Sequence, residues 1–199
     1  MTRILAISDT HLSGEIPPKL VELAETADII IHTGDFEKIE IYNSFSRVGR
    51  LEAVFGNSDP PELRRILPSR KTIVVEGVKI GMVHKASHSP DLLGPELLAR
   101  EMDVDVLVFG HHHIPYLEKG ERLLICPGSP TVPRMSYPTV VEIEINRGEV
   151  HGRIIPIGRA RCDYIECVET FAEEESQTAK RSSSLWGSSN LDLLPDIFL

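Results

Sequence analysis

Five short apolar runs in the first 113 residues each break off at a side chain able to bind a metal ion. Arg3–Ser8 leads into Asp9 and His11, Asp28–His32 into Asp35, and Leu51–Phe55 into Asn57. Val78–Val83 leads into His84, and Val106–Phe109 passes through Gly110 to His111, His112 and His113. Runs of this length, rich in β-branched residues and bounded by turn residues, read as strands, and those apolar on both faces read as central strands of a covered sheet. Ligands of an open α/β sheet sit beyond the carboxyl ends of its strands. The pattern therefore demands an α/β fold that gathers five strand ends at one place. His111 and His113, two residues apart, point to one side of an extended segment and His112 to the other.

Between the runs lie the helices. Pro17-Pro18 opens one that packs through Leu20, Val21, Leu23 and Ala24, proline being tolerated in a first turn. Ile39 to Phe45 makes a second. Asp59, followed by Pro60-Pro61, reads as the cap of a third helix running through Leu67. Ser89 to Met102 supplies a fourth, which Gly94-Pro95 must interrupt or restart. Glu76-Gly77, Lys119-Gly120 and Asn146-Arg147-Gly148 turn hairpins. Val141, Ile143 and Ile145 alternate with Glu142 and Glu144, the pattern of a strand with one wet face, and Val150 to Ile157 pairs with it. His32, at a strand end, reads as a hydrogen-bonding or packing residue and not as a ligand.

The formal charge of −9 is uneven: residues 163–199 carry eight acidic side chains against Lys180 and Arg181, leaving −3 for residues 1–162. No basic face for non-specific nucleic-acid binding is expected, so a phosphate-bearing substrate must be held by bound cations. Cys126, Cys162 and Cys167 are odd in number and widely spaced, against both a disulfide framework and a cysteine metal site. No signal peptide and no run of about 18 apolar residues is seen, so a cytoplasmic protein is expected. From Glu169 the chain is acidic and serine-rich, and residues 163–199 read as a mobile tail that holds one further strand at most, near Asp163 to Val168. Two carboxylates, an amide oxygen and four imidazoles make a mixed oxygen and nitrogen donor set, too large for one tetrahedral ion. It suits two divalent ions, Mn²⁺, Fe²⁺, Zn²⁺, Co²⁺ or Ni²⁺, more than Ca²⁺, and Mn²⁺ is the ion expected.

Taken in order, Asp9-x-His11, Gly34-Asp35, Gly56-Asn57-x-Asp59, His84 and Gly110-His111-x-His113 resemble the five motifs of the calcineurin-like metallophosphoesterases. Short loops and Pro127-Gly128-Ser129 after the last motif are most similar to the small bacterial and archaeal phosphodiesterase branch, and the resemblance covers residues 1 to about 160. It implies a four-layer α/β/β/α sandwich, two packed mixed β-sheets flanked by helices, over residues 1–162. It implies that one metal takes Asp9, His11, Asp35 and His113, and a second takes Asp35, Asn57, His84 and His111. The implied activity is hydrolysis of phosphodiesters, and also of monoesters, by a hydroxide bridging the two ions, with Asn57 and His84 contributing to catalysis as well as to binding.

Two departures stand out. His84 is followed by Lys85-Ala86-Ser87-His88 where the branch has His-Gly-His, which makes His88 the candidate acid. Ser58 stands where larger relatives have a histidine. The expected partner is a phosphate-ester small molecule or nucleotide, with no membrane and no extended nucleic-acid surface. A homo-oligomer, and docking of a partner on the tail end Leu191–Leu199, stay open. The competing reading is a non-catalytic protein-interaction scaffold with the same fold.

Overall fold

The computed structural model describes residues 1–87 and 92–159. In chain order its elements are β1 (Thr2–Ile7), α1 (Pro18–Glu25), β2 (Ile29–His32), α2 (Ile39–Val48), β3 (Leu51–Ala53), α3 (Pro61–Ile66), β4 (Arg70–Val75), β5 (Val78–Val83), α4 (Leu93–Glu101), β6 (Val106–Phe109), β7 (Pro115–Lys119), β8 (Leu123–Pro127), β9 (Thr139–Asn146) and β10 (Glu149–Pro156). One sheet has the order β10-β9-β1-β2-β3 and the other β4-β5-β6-β8-β7. Both are mixed. β1, β2 and β3 are parallel, with β9 and β10 added antiparallel. β5, β6 and β8 are parallel, with β4 and β7 antiparallel at the edges.

Alternation along the central strands sets the layers. In β1, Ile4 and Ala6 enter the core between the sheets, while Leu5 and Ile7 pack on Leu20, Phe45 and Leu63 of the helices. In β6, Val106 and Val108 face the other sheet, and Leu107 and Phe109 face Leu98 and Ala99 of α4. A strand apolar on both faces needs a cover on each, and the result is the α/β/β/α order that the resemblance implied.

Three details differ from the sequence reading. The third helix is not capped by Asp59: its cap position is Pro60, with no side-chain cap hydrogen bond, because the Asp59 carboxylate turns inward to a different task. The fourth helix takes Gly94-Pro95 into its first turn and is not interrupted there, since a first-turn proline forfeits no intrahelical bond. The wet face of β9 is partly closed, Glu142 being 9% exposed between Arg3 and Arg153, each at 2.7 Å. His88, residues 89–91, the possible strand near Asp163 and the acidic tail lie outside the described residues.

Candidate metal centre

The strand polarities bring the five motif ends to one edge of the sandwich. Asp9, Asp35 and Asn57 follow β1, β2 and β3 of the first sheet, and His84, His111 and His113 follow β5 and β6 of the second. All seven residues expected as ligands meet there. His11 Nε2 lies 3.2 Å from His113 Nε2 and 3.5 Å from Asp35 Oδ2. His84 Nε2 lies 3.4 Å from the same Asp35 oxygen and 2.9 Å from Asn57 Oδ1, which His111 Nδ1 approaches to 2.7 Å. His113 Nε2 is 3.4 Å from Asp9 Oδ1.

The far side of each imidazole explains why these nitrogens turn inward. His84 Nδ1–H donates to the Thr33 carbonyl at 2.8 Å, His113 Nδ1–H to the Val132 carbonyl at 2.6 Å, and His11 Nδ1–H to the Glu37 carboxylate at 2.6 Å. A neutral imidazole so engaged keeps its proton on Nδ1 and leaves Nε2 as a bare acceptor. Two bare nitrogens, of His11 and His113, then face each other at 3.2 Å, where they cannot bond to one another. A cation between them resolves the conflict. Charge points the same way. Asp9 and Asp35 are 0% and 2% exposed, and burial raises the Asp9 carboxyl above its ordinary range despite the Ser8 hydroxyl at 2.6 Å. Asp9, His11 and His113 form one group, and Asp9, Asp35 and His84 another, with donor atoms within 4.8 Å of one another. Burial lowers His111 to about 4, which leaves its ring neutral and able to ligate near pH 7.

The backbone is bent hard to achieve this. Asp9, His11, Asp35, Glu37, His111 and His113 all have φ between +39° and +79°. Such non-glycine conformations cost of order 1–2 kcal/mol each and collect at functional sites. His111 and His113 thus reach the centre by left-handed turns and not by extended alternation. His112 stays apart from the ligands, its ring 5.3 Å from that of His111 and its buried Nε2 without a hydrogen-bond partner. The motif glycines are there for closeness: a Cβ on Gly110 would lie 1.9 Å from Ser8 Oγ, and one on Gly56 would lie 2.1 Å from Asp35 Oδ1.

Sequence reasoning missed the second layer. Asp59 Oδ1 accepts the backbone N–H of Phe36 and Glu37, and Oδ2 those of Asp35 and Gly56, at 2.7–3.0 Å. One buried carboxylate therefore clamps the loop that presents Asp35. Its signal was its place in Gly56-Asn57-x-Asp59. Ser129, whose Oγ donates to the Asp9 carbonyl at 2.7 Å, was marked only by its place in Pro127-Gly128-Ser129, and Glu37 had no comparable signal. His32, as expected, is a packing residue: it stacks on Phe36 at 3.6 Å, and its Nδ1 accepts from the Gly34 N–H at 3.1 Å. Burial holds it well below the ordinary imidazole range, in the neutral form.

A cavity of about 670 Å³ opens at the other end of the sandwich, among Gly77, Asp105, Gly120 and Gly148, where β6 begins. Its described lining mixes Asp105, Glu121 and Glu149 with Lys119 and Arg122. No helix among the described residues is long and apolar enough to cross a membrane.

Residues 2–148 match the model of the calcineurin-like phosphoesterase superfamily domain. The chain belongs to that superfamily. Among its calcineurin-like relatives is a "probable metallophosphoesterase" of Methanocaldococcus jannaschii, 36% identical over 157 residues, which are 76% of this chain and 79% of the relative. The structure of a Vps29 single mutant from Entamoeba histolytica shares the fold, with TM-score 0.66 and 22% identity over 78% of this chain and 99% of that one. A structure described as a novel archaeal phosphodiesterase gives TM-score 0.61 and 22% identity over 77% of this chain and 99% of that one. At such identities both likenesses speak for the calcineurin-like fold and not for the activity.

Proposed function

We propose that this phosphoesterase-family chain hydrolyses phosphodiesters at a centre of two divalent ions, with Mn²⁺ as the proposed ion. The observation that carries the reading is the meeting of bare imidazole nitrogens around Asp35. Asp35 Oδ2 stands 3.5 Å from His11 Nε2 on one side and 3.4 Å from His84 Nε2 on the other, as a carboxylate shared by two ions must. Asp9, His11, Asp35 and His113 would hold one ion, and Asp35, Asn57, His84 and His111 the second. Bound there, the ions would supply Lewis-acid polarisation of the phosphoryl oxygens and an activated water.

The chain's own residues prepare the centre. Thr33, Val132 and Glu37 fix the imidazole tautomers and keep the ligands aimed, the arrangement that commonly tunes metal sites. Ser58 donates its N–H to Asp35 Oδ1 at 2.7 Å and its hydroxyl to Oδ2 at 3.1 Å, so it steadies the shared carboxylate. It is too weak an acid to protonate a leaving group near neutrality, which favours substrates whose leaving group departs unaided. We take the compartment to be the cytoplasm, in keeping with a buried thiol at Cys126 that burial pushes up to about 12.

A protein-interaction scaffold of the same fold is the second reading, supported by the likeness to Vps29. A Vps29 of this fold is itself described as complexed with Zn²⁺, so bound metal is common ground and turnover is what differs. Hydrolysis of bis(p-nitrophenyl) phosphate, read beside metal content, separates the two. Divalent metal bound at two per chain, with turnover on Mn²⁺, is expected. Protein without turnover in Mn²⁺ would decide for the scaffold.

A further inference from the structure

Against the metal centre, and sharing Asn57 and His84 with it, lies a cavity of about 450 Å³ whose described lining includes Phe55, Arg64, Arg70 and Lys85 and no carboxylate. Three cations at the wall of an acidic protein are unexpected from a net charge of −9. They come from separate stretches of the chain, so no basic run announces them. Arg64 is held by neutral acceptors: its guanidinium donates to the Asn57 carbonyl and to the Asp59 carbonyl at 2.8 Å, and it lies 5.8 Å from the centre of the Phe55 ring. Its charge is fixed in place and not cancelled. Arg70 pairs with Glu101 at 2.8 Å, but both side chains are more than half exposed, and such a pair is weak and exchangeable. Lys85 is exposed and directly follows the candidate ligand His84.

Guanidinium and ammonium groups that are wet and have no buried carboxylate partner are the chemistry that recognises phosphate. The scissile phosphate belongs to the metal ligands, so the cations beside them have a different group to hold. We propose that this cavity receives a second phosphate of the substrate, so that the preferred substrates are phosphodiesters whose neighbouring group is itself phosphorylated. The proposal deepens the phosphodiesterase reading and rests on it.

Two substrates with one leaving group test it: the p-nitrophenyl ester of thymidine 5′-phosphate, and the same ester with an additional 3′-phosphate. With full-length protein in Mn²⁺, kcat/KM is expected to be about tenfold or more higher for the 3′-phosphorylated ester, the scale of one charge-assisted contact. In the Arg70→Gln/Lys85→Gln double variant that ratio should fall to about one. Arg64 is left unchanged, because its substitution would release Asn57. Equal kcat/KM in the wild type, or a ratio that survives in the double variant, overturns the proposal. If neither ester is turned over, the phosphodiesterase reading fails, and the cavity is then judged by binding. A preference of about tenfold for thymidine 3′,5′-bisphosphate over thymidine 5′-phosphate, lost in the double variant, supports it, and equal dissociation constants overturn it.

Discussion

Two aspartates in the centre do opposite work. Asp35 presents its oxygens to His11 and His84, whereas Asp59 spends all its acceptor capacity on the backbone. Replacing Asp35 with Asn changes volume little and removes the charge two ions would share, so metal content and rate should fall together. Metal analysis and turnover of bis(p-nitrophenyl) phosphate check this, and retention of two metals with near-normal turnover would remove Asp35 from the bridging position. Asp59→Ala should act through structure first. It strands four backbone N–H groups at a site 3% exposed, a loss of about 3 kcal/mol or more in urea unfolding. Metal affinity should then fall even in protein that remains folded, because the Asp35 loop is no longer clamped. Unchanged affinity would show that the loop holds its shape without Asp59.

At the scale of elements, β9 carries a nearly buried charge on its outer face, opposite the residues that fill the core between the sheets. Glu142 lies between Arg3 of β1 and Arg153 of β10, and hydrogen bonds from the two guanidiniums, Arg3 first, hold its carboxyl below the usual range. A depressed folded-state value stabilises the protein above the unfolded value near pH 4.3, and that contribution drains away as pH falls through the folded value. Wild type should exceed Glu142→Gln by about 1–2 kcal/mol at pH 7, discounted because Arg153 is 72% exposed, and the gap should narrow below about pH 4. Urea titrations at both pH values test it, and a gap that does not change with pH would mean the carboxylate charge is not the cause. The same strand shows what a sequence can and cannot disclose. Its alternation announced Val141, Ile143 and Ile145 as core, because side-chain direction in a strand follows from position alone. The partners of Glu142 sit 139 residues before it and 11 after it, and nothing local names them. The candidate ligands were brought together by the fold for a related reason: each lies within four residues of a strand's end, and strand ends are marked by the loss of apolar residues. Asp59 was misread because Asp-Pro-Pro has a valid local meaning as a helix start, and only the fold reveals that the carboxylate points the other way.

On the scale of the whole molecule, the centre is a joint between the two sheets. Asp9, His11, Asp35 and Asn57 are carried by the first sheet, and His84, His111 and His113 by the second. The seam is close: His111 N–H donates to Asp9 Oδ2 at 2.9 Å across it. In the metal-free protein this joint works against the fold, with a raised Asp9 carboxyl and acceptor nitrogens turned on one another. An ion that binds the folded chain and not the unfolded one stabilises it by about 2.7 kcal/mol at one hundred times its dissociation constant. For a chain of this size each kcal/mol moves Tm by about 2–4 °C, so each Mn²⁺ bound at that excess should raise Tm by about 5–10 °C, and EDTA should reverse the rise. Asp35→Asn should show a much smaller rise with Mn²⁺, and a metal-free Tm close to that of the wild type. Thermal unfolding of both proteins with Mn²⁺ and with EDTA reads all four quantities. No rise in the wild type, or an equal rise in Asp35→Asn, would mean that metal does not join the sheets through this carboxylate.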